Sequence, residues 1–209
     1  GTWGSPAQFG VKYGEFRSQS DRGYLIHAEP RMSLTAAAAD LWLAPKPGTE
    51  GDLALGIASI IINEGLATQE SISNFNTILP DGLDGYSVAQ VSNRTGISGD
   101  RIEKAARHFA NHTPAVAFGG GSAGAHTNGS FNLEAIYALN ILVNAVDASG
   151  GITPNPKSAI DGLPISSAGA PFESWEAELA QWRAGNVETV IIRGTDIVHG
   201  MPNSVGIRE

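Results

Sequence analysis

Four short loops in this chain carry residues able to hold a polar ligand: Glu29-Pro30-Arg31, Pro47-Gly48-Thr49-Glu50, Gly119-Gly120-Gly121-Ser122 and Gly194-Thr195-Asp196. An acid at a strand's end can accept from ribose hydroxyls, and a guanidinium such as Arg31 can pair with phosphate or carboxylate. An Arg31 held in a structural ion pair is the equally open alternative. Thr49 followed by Asp52 has the spacing of a capping box, the hydroxyl accepting from the first amides of a helix. A Pro-Gly turn plus a helix cap accounts for that loop without any ligand. The run Phe118-Gly119-Gly120-Gly121-Ser122-Ala123-Gly124 contains the letters GxGxxG. A dinucleotide fingerprint needs its helix to open within the glycines so that amides face a pyrophosphate. Here the helical pattern waits until about Ser130, and the Gly-Lys-Ser/Thr of a P-loop is missing. The run reads as a close backbone approach to a flat ligand, or as a tight glycine loop. His126 invites a metal or acid–base reading, but His27, His108, His112 and His199 have no ligand spacing with it.

Strands and helices must position these loops. Apolar runs at Tyr24–Ala28, Ala115–Phe118 and Thr189–Arg193 predict strands released into Glu, Gly and Gly-Thr-Asp. Amphipathic helices are predicted over Gly51–Gly65, Asp100–Asn111, Asn132–Asp147 and Glu173–Ala184. In the second, Ile102, Ala105, Ala106, Phe109 and Ala110 line one face, with Ser98 or Gly99 as cap. Alternating helix and strand predicts an α/β fold, a mainly parallel sheet covered by helices on both faces. The three strands are expected to be buried neighbours. Loops gather at the carboxyl edge of such a sheet, so 29–33, 48–50, 119–122 and 194–196 are expected to share one crevice. Gly150 to Pro171, rich in Gly, Pro and Ser, reads as an ordered surface loop, and no domain boundary is drawn within 1–209. GTWGSP opens like a loop and NSVGIRE starts an element without completing it, so the chain reads as an interior segment of a longer protein.

Bulk composition excludes some classes of function. Thirteen Lys and Arg against twenty-one Asp and Glu give a net charge of −8, which argues against a nucleic-acid partner. With no cysteine the segment supplies no disulfide, no thiol nucleophile and no cysteine-ligated iron–sulfur cluster. Its longest apolar stretch, Leu53 to Ile62, falls short of the ~20 residues of a membrane span.

The run HAEPRMSLTAAAADLWLAPKPGTEGDLALGIASIIINEGL, His27 to Leu66, resembles the molybdopterin oxidoreductase (DMSO reductase) family. In register with the family's pattern are Glu29-Pro30-Arg31, Ser33, Thr35-Ala36, Ala39-Asp40 and Pro47-Gly48-Thr49-Glu50. TGISGDRIEKAARHFA and HTNGSFNLEAIYALNILVNAVDASGG also have the family's look. The resemblance implies the Rossmann-like part of such an enzyme and a molybdopterin guanine dinucleotide as cofactor. By its implication Glu29, Pro30, Arg31, Gly48, Thr49, Glu50, Gly120, Gly121, Ser122 and Asp196 are cofactor-binding, and no catalytic or metal-binding residue is named. Family members use an Asp where Glu50 stands, its carboxylate accepting from guanine N1–H and the 2-amino group together. Gly121 and Ala125 occupy places where relatives set Met and Gln against the pterin, and Asp196-Ile197 replaces an Asn-Pro.

GTWGSPAQFGVKYGEFR, EPRMSLTAAAAD, PGTE and GAHTNG are similar to the large molybdopterin-like subunit of bacterial alternative complex III, a quinol-oxidising membrane assembly. That group implies partner subunits of an electron-transfer complex, iron–sulfur clusters in another domain, and membrane association through the partners, with the periplasmic side preferred. It also implies a lost cofactor and a scaffold role. The sequence is therefore read as such a scaffold, the alternatives being a segment of a subunit that holds the cofactor and a generic nucleotide-binding α/β domain.

Overall fold

The computed structural model describes residues 5–18, 20–80, 82–154, 174–192, 194–201 and 203–207. They fall into two units, residues 1–155 and 156–209.

The first unit is built around a helix that is apolar on every side. In α3, Glu50–Asn63, eleven of fourteen residues are buried, so it is a core helix and not the amphipathic one expected. Around it pack α5 (Val88–Thr95), α6 (Gly99–Asn111) and α7 (Gly129–Leu142), with α4 (Gln69–Ile78) against α7. Gly56 permits the α3–α5 crossing: a Cβ there would stand 2.8 Å from Val91 Cγ1. Helix α6 buries Ile102, Ala105 and Ala106, as its periodicity predicts. Ser98 takes the N-cap position with extended backbone, though its hydroxyl makes no capping bond.

The sheet consists of β1 (Ile26–Ala28) and β2 (Leu41–Leu43), paired in parallel with Ile26 opposite Leu41 and Ala28 opposite Leu43. The short helix α2, Leu34–Ala37, crosses between them. Helix α1, Pro6–Ser18, precedes the sheet and buries none of its residues. Its Arg17 ties it down, donating to Asp40, to Gly23 O at 2.6 Å and to Ala38 O at 2.9 Å.

Two strand expectations are corrected. Ala115–Phe118 lies outside any strand. Its backbone is satisfied by a side chain instead: Ala117 N donates to Asn140 Oδ1 at 2.8 Å, and Asn140 Nδ2 donates back to Ala117 O at 2.7 Å. The buried carboxamide reproduces the two-point pairing a neighbouring strand would give. Thr189–Ile192 forms no strand either, and Arg193 lies outside the described residues. Among the described residues the sheet is therefore two parallel strands within a mostly helical structure, not a broad sheet covered on both faces.

In the second unit, α8 (Ser174–Arg183) buries Leu179 and sets Trp175 edge-to-face against Trp182 at 6.2 Å. A one-turn helix α9, Ile197–Gly200, follows. Of the expected surface loop 150–171, residues from 155 onward lie outside the described ones.

Candidate functional site

Parallel pairing sends both strands toward the same edge. The ladder continues one step past β1, Glu29 N donating to Leu43 O at 3.0 Å. The loops Glu29–Ser33 and Ala44–Thr49 thus leave one carboxyl edge side by side, where open α/β sheets place ligands. Glu29 Oε2 sits 3.2 Å from His27 Nε2. Its carboxyl is held below the usual range by a hydrogen bond from Ser33, then by His27 and the charge of Arg31. Its carbonyl accepts from Trp42 Nε1 at 2.8 Å, which fixes the loop's departure. Pro30 is half-buried and Arg31 exposed, and Arg31 makes no ion pair among the described residues.

The turn before α3 is held from both sides. Gly48 takes φ 84°, a left-handed conformation that suits glycine. Thr49 is the N-cap residue but makes no capping bond, so the expected Thr49–Asp52 box is absent. Its hydroxyl donates to Lys46 O at 2.7 Å instead, and Asp52 pairs with Arg94 Nε at 2.8 Å. The cap comes from α7: Asn132 Oδ1 accepts from Gly51 N at 3.0 Å. That approach requires glycine, since a Cβ on Gly51 would lie 2.7 Å from the same Oδ1.

Asn132 is wholly buried and joins three elements. Its Nδ2 donates to Ala123 O at 3.0 Å and to Glu50 Oε2 at 3.5 Å. One turn earlier, Asn128 Nδ2 donates to Gly48 O at 2.8 Å. The Pro47–Glu50 turn and the glycine loop are therefore brought together by two asparagines that sequence reasoning passed over. Their signal was present: i, i+4 spacing at the start of a helix directly after the glycines.

Glu50 is the acid of this cluster and is only 5% solvent-accessible. Its Oε1 is buried and has no hydrogen-bond partner among the described residues. A buried acceptor left unpaired costs roughly 1–3 kcal/mol, more when charged, so it favours a donor from a ligand. The first turn of α3 also carries Asp52, and its Gly51 amide is already taken. With two acids in that turn, the start of α3 repels phosphate and suits an N–H donor. The residues at this point therefore suit an N–H donor such as the edge of a nucleobase, not a pyrophosphate.

Gly120, Gly121 and Ser122 stand exposed at the start of a 3-10 turn, Gly121–Gly124, with Gly121 at φ 55°. Only Ala123 of this turn is buried. Gly121 and the exposed Ala125 offer a ligand no polar side chain. His126 packs beside Gly48: a Cβ added there would be 3.8 Å from its Cγ. Asp196 belongs to the second unit, where Oδ1 caps α9 by accepting from Val198 N and His199 N, both at 3.1 Å. Hydrogen bonds from His199 and these amides keep its carboxyl below the usual range.

No protein-family model matches the chain. It is 32% identical over 201 residues to the molybdopterin-containing subunit of the arsenate respiratory reductase of Chrysiogenes arsenatis, covering 84% of this chain and 23% of that protein. It is 24% identical over 194 residues to the molybdopterin-binding-like subunit of the menaquinone reductase of Nitratidesulfovibrio vulgaris, covering 88% and 27%. Among solved structures, acetylene hydratase from Pelobacter acetylenicus superposes with a TM-score of 0.53 at 28% identity, over 66% of this chain and 18% of that one. The chain thus spans roughly a quarter of the length of the curated relatives it matches. Its homologues are molybdopterin-containing members of the DMSO reductase family.

Proposed function

We propose that this chain is part of the molybdopterin-type subunit of a membrane-associated, quinol-oxidising electron-transfer complex, and that the turn carrying Glu50 holds the guanine end of a molybdopterin guanine dinucleotide. The observation that carries the cofactor half is Glu50 itself, buried beside Asn132 with Oε1 lacking a donor. Glu50 would take the guanine, with Gly48, Thr49 and the Gly120–Ser122 turn around it, and Glu29 and Arg31 would face ribose and phosphate from the neighbouring loop. When bound, the cofactor supplies two-electron redox chemistry at its metal. The chain's residues bind and orient. The relatives are named for arsenate, menaquinone and acetylene chemistry, yet all share this stretch. A segment common to such different substrates holds what those proteins have in common. Substrate choice is then made elsewhere in the protein. The complex-level reading rests on the alternative-complex-III-like motifs and on the menaquinone reductase relative.

One observation favours a second reading, a scaffold whose cofactor site has decayed: Gly121 and Ala125 present no polar side chain where a pterin would need one. Elemental and pterin analysis of the full-length protein, purified with its partner subunits, separates the two. Stoichiometric molybdenum or tungsten with a guanine nucleotide is expected. Absence of both, in a preparation that still oxidises quinol, would establish the scaffold. A preparation with no membrane partners and no quinol oxidation would overturn the complex.

A further inference from the structure

We infer that Asn128–Gly129 is a deamidation site which the fold keeps closed through Gly48, and that its conversion disconnects the Pro47–Glu50 turn from the glycine loop. It is the chain's single Asn-Gly pair. Asparagine is thermolabile, and least shielded where the next residue has no side chain. The fold nevertheless demands that glycine, since a Cβ on Gly129 would stand 2.2 Å from Gly124 O. Asn128 lies exposed at the start of α7, with Gly129 buried behind it. Its side-chain amide donates to Gly48 O at 2.8 Å and lies 3.4 Å from Asn132 Oδ1. The Gly129 amide donates to His126 O at 2.9 Å. Asn128 makes no side-chain capping bond to α7, so its carboxamide serves to hold the turn.

Deamidation needs both groups released. Gly129 N gives its proton to hydroxide and attacks Asn128 Cγ. The Cγ–Nδ2 bond breaks, ammonia leaves with a proton taken from water, and a cyclic imide remains. Water then opens either carbonyl of the ring, giving aspartate or isoaspartate with no change of oxidation state. In the folded chain nucleophile and target are each committed to another partner, so the ring closes only after a local opening. The product cannot restore the link. A carboxylate at position 128 has no hydrogen to donate, so Gly48 O and Asn132 Oδ1 would each face an acceptor.

The test uses the full-length protein, made in cells unable to supply the pterin cofactor so that no ligand shields the loop. It is held at mildly alkaline pH, folded and in urea, and amide-to-acid conversion is read at each asparagine by peptide mass mapping. In urea Asn128 is expected to convert fastest of this chain's asparagines. In the folded protein it is expected to convert at least about tenfold more slowly than in urea, as a reaction gated by local opening requires. Gly48→Ala puts a side chain at φ 84° without a clash, its Cβ 3.7 Å from Asn128 Oδ1, and so loosens the turn. It is expected to speed conversion at Asn128 about threefold or more and to leave the other asparagines unchanged. Asn128→Asp stands for the product, and is expected to raise exchange of the Thr49 amide, bonded to Lys46 O at 3.1 Å, by about tenfold. Folded and urea rates within about twofold of each other, or another asparagine outpacing Asn128 in urea, would overturn the protected site. A folded Gly48→Ala variant with the parent's rate would overturn the role of Gly48; should it fail to fold, the folded-to-urea ratio still decides. Unchanged Thr49 exchange in Asn128→Asp would overturn the disconnection.

Discussion

Asp40 sits within the motif that resembles the molybdopterin family, yet its bonds are structural. Its carboxylate accepts from Arg17 of α1, from Arg22 at 2.7 Å and from Leu25 N at 2.8 Å, just ahead of β1. The Arg17 hydrogen bond leads in holding its carboxyl at about 2, against 3.8 for a free Asp. Because the folded value is depressed, the stabilisation is complete above the unfolded value and is lost as pH falls through the folded one. Asp40→Asn is expected to cost about 1–2 kcal/mol at neutral pH, after allowing for solvent screening of Arg22. Urea unfolding checks this, and an unchanged midpoint would show that α1 is not pinned by this residue. At this scale the sequence was partly legible. Glu50 could be picked out only through the family resemblance of Pro47-Gly48-Thr49-Glu50, because an acid in the first turn of a helix is ordinary. The capping role of Thr49 was misjudged because the cap arrives from Asn132, 81 residues along the chain from the Gly51 amide it caps. Local spacing cannot encode such a partner.

Among the elements, those read well were the helices whose burial follows a period. Helix α6 falls within one residue of expectation, whereas α7 starts three residues before and ends five residues before the expected Asn132–Asp147. Helices α4 and α5 were missed although their caps were in view. Thr68 and Ser87 each accept from the third amide onward, Ser87 in a capping box with Gln90, and Gly96 closes α5 at φ 78°. The strand at Ala115–Phe118 was over-read because an extended apolar run looks the same whether a strand or a side chain pairs it. That difference is testable. Asn140→Ala leaves Ala117 N–H and C=O unpaired and is expected to destabilise the unit by roughly 2–4 kcal/mol, since two half-buried groups lose partners together. Asn140→Asp keeps the acceptor for Ala117 N but loses the donor, and is expected to fall between. Amide exchange at Ala117 reports it directly, and protection that survives Asn140→Ala would point to another partner. Gly56→Ala makes a complementary case: a Cβ 2.8 Å from Val91 Cγ1 at a helix crossing is expected to cost about 1–3 kcal/mol by overpacking. A variant as stable as the parent would mean that α5 can shift without penalty.

For the molecule as a whole, these local features combine into a response to acid. The first unit has two kinds of shifted group. Tyr24, His108 and His112 form a continuous ring stack, with centroids 3.6 Å and 3.9 Å apart, tying the end of α6 to the approach to β1. Burial in this stack, with His112 and then Lys104 nearby, lowers the His108 value below 6.5. The folded state therefore prefers the neutral imidazole. A histidine depressed in the fold contributes stability that is complete above about 6.5 and declines as pH falls from there toward its folded value. The carboxylates act later. Glu64, lowered by Arg107, and Asp40, lowered by Arg17, hold their contributions until pH drops below the free carboxylate range. Stability against urea is thus expected to fall in two stages, a shallow shoulder below about pH 6.5 and a steeper descent below about pH 4. His108→Phe keeps a ring in the stack without a proton to take up, and is expected to remove the shoulder while leaving the acid descent in place. Asp40→Asn is expected to keep the shoulder and to make the acid descent shallower, the Glu64 contribution remaining. A parent curve that stays level from pH 7 to pH 5, or a His108→Phe curve with the shoulder intact, would show that the stack does not couple protonation to the fold.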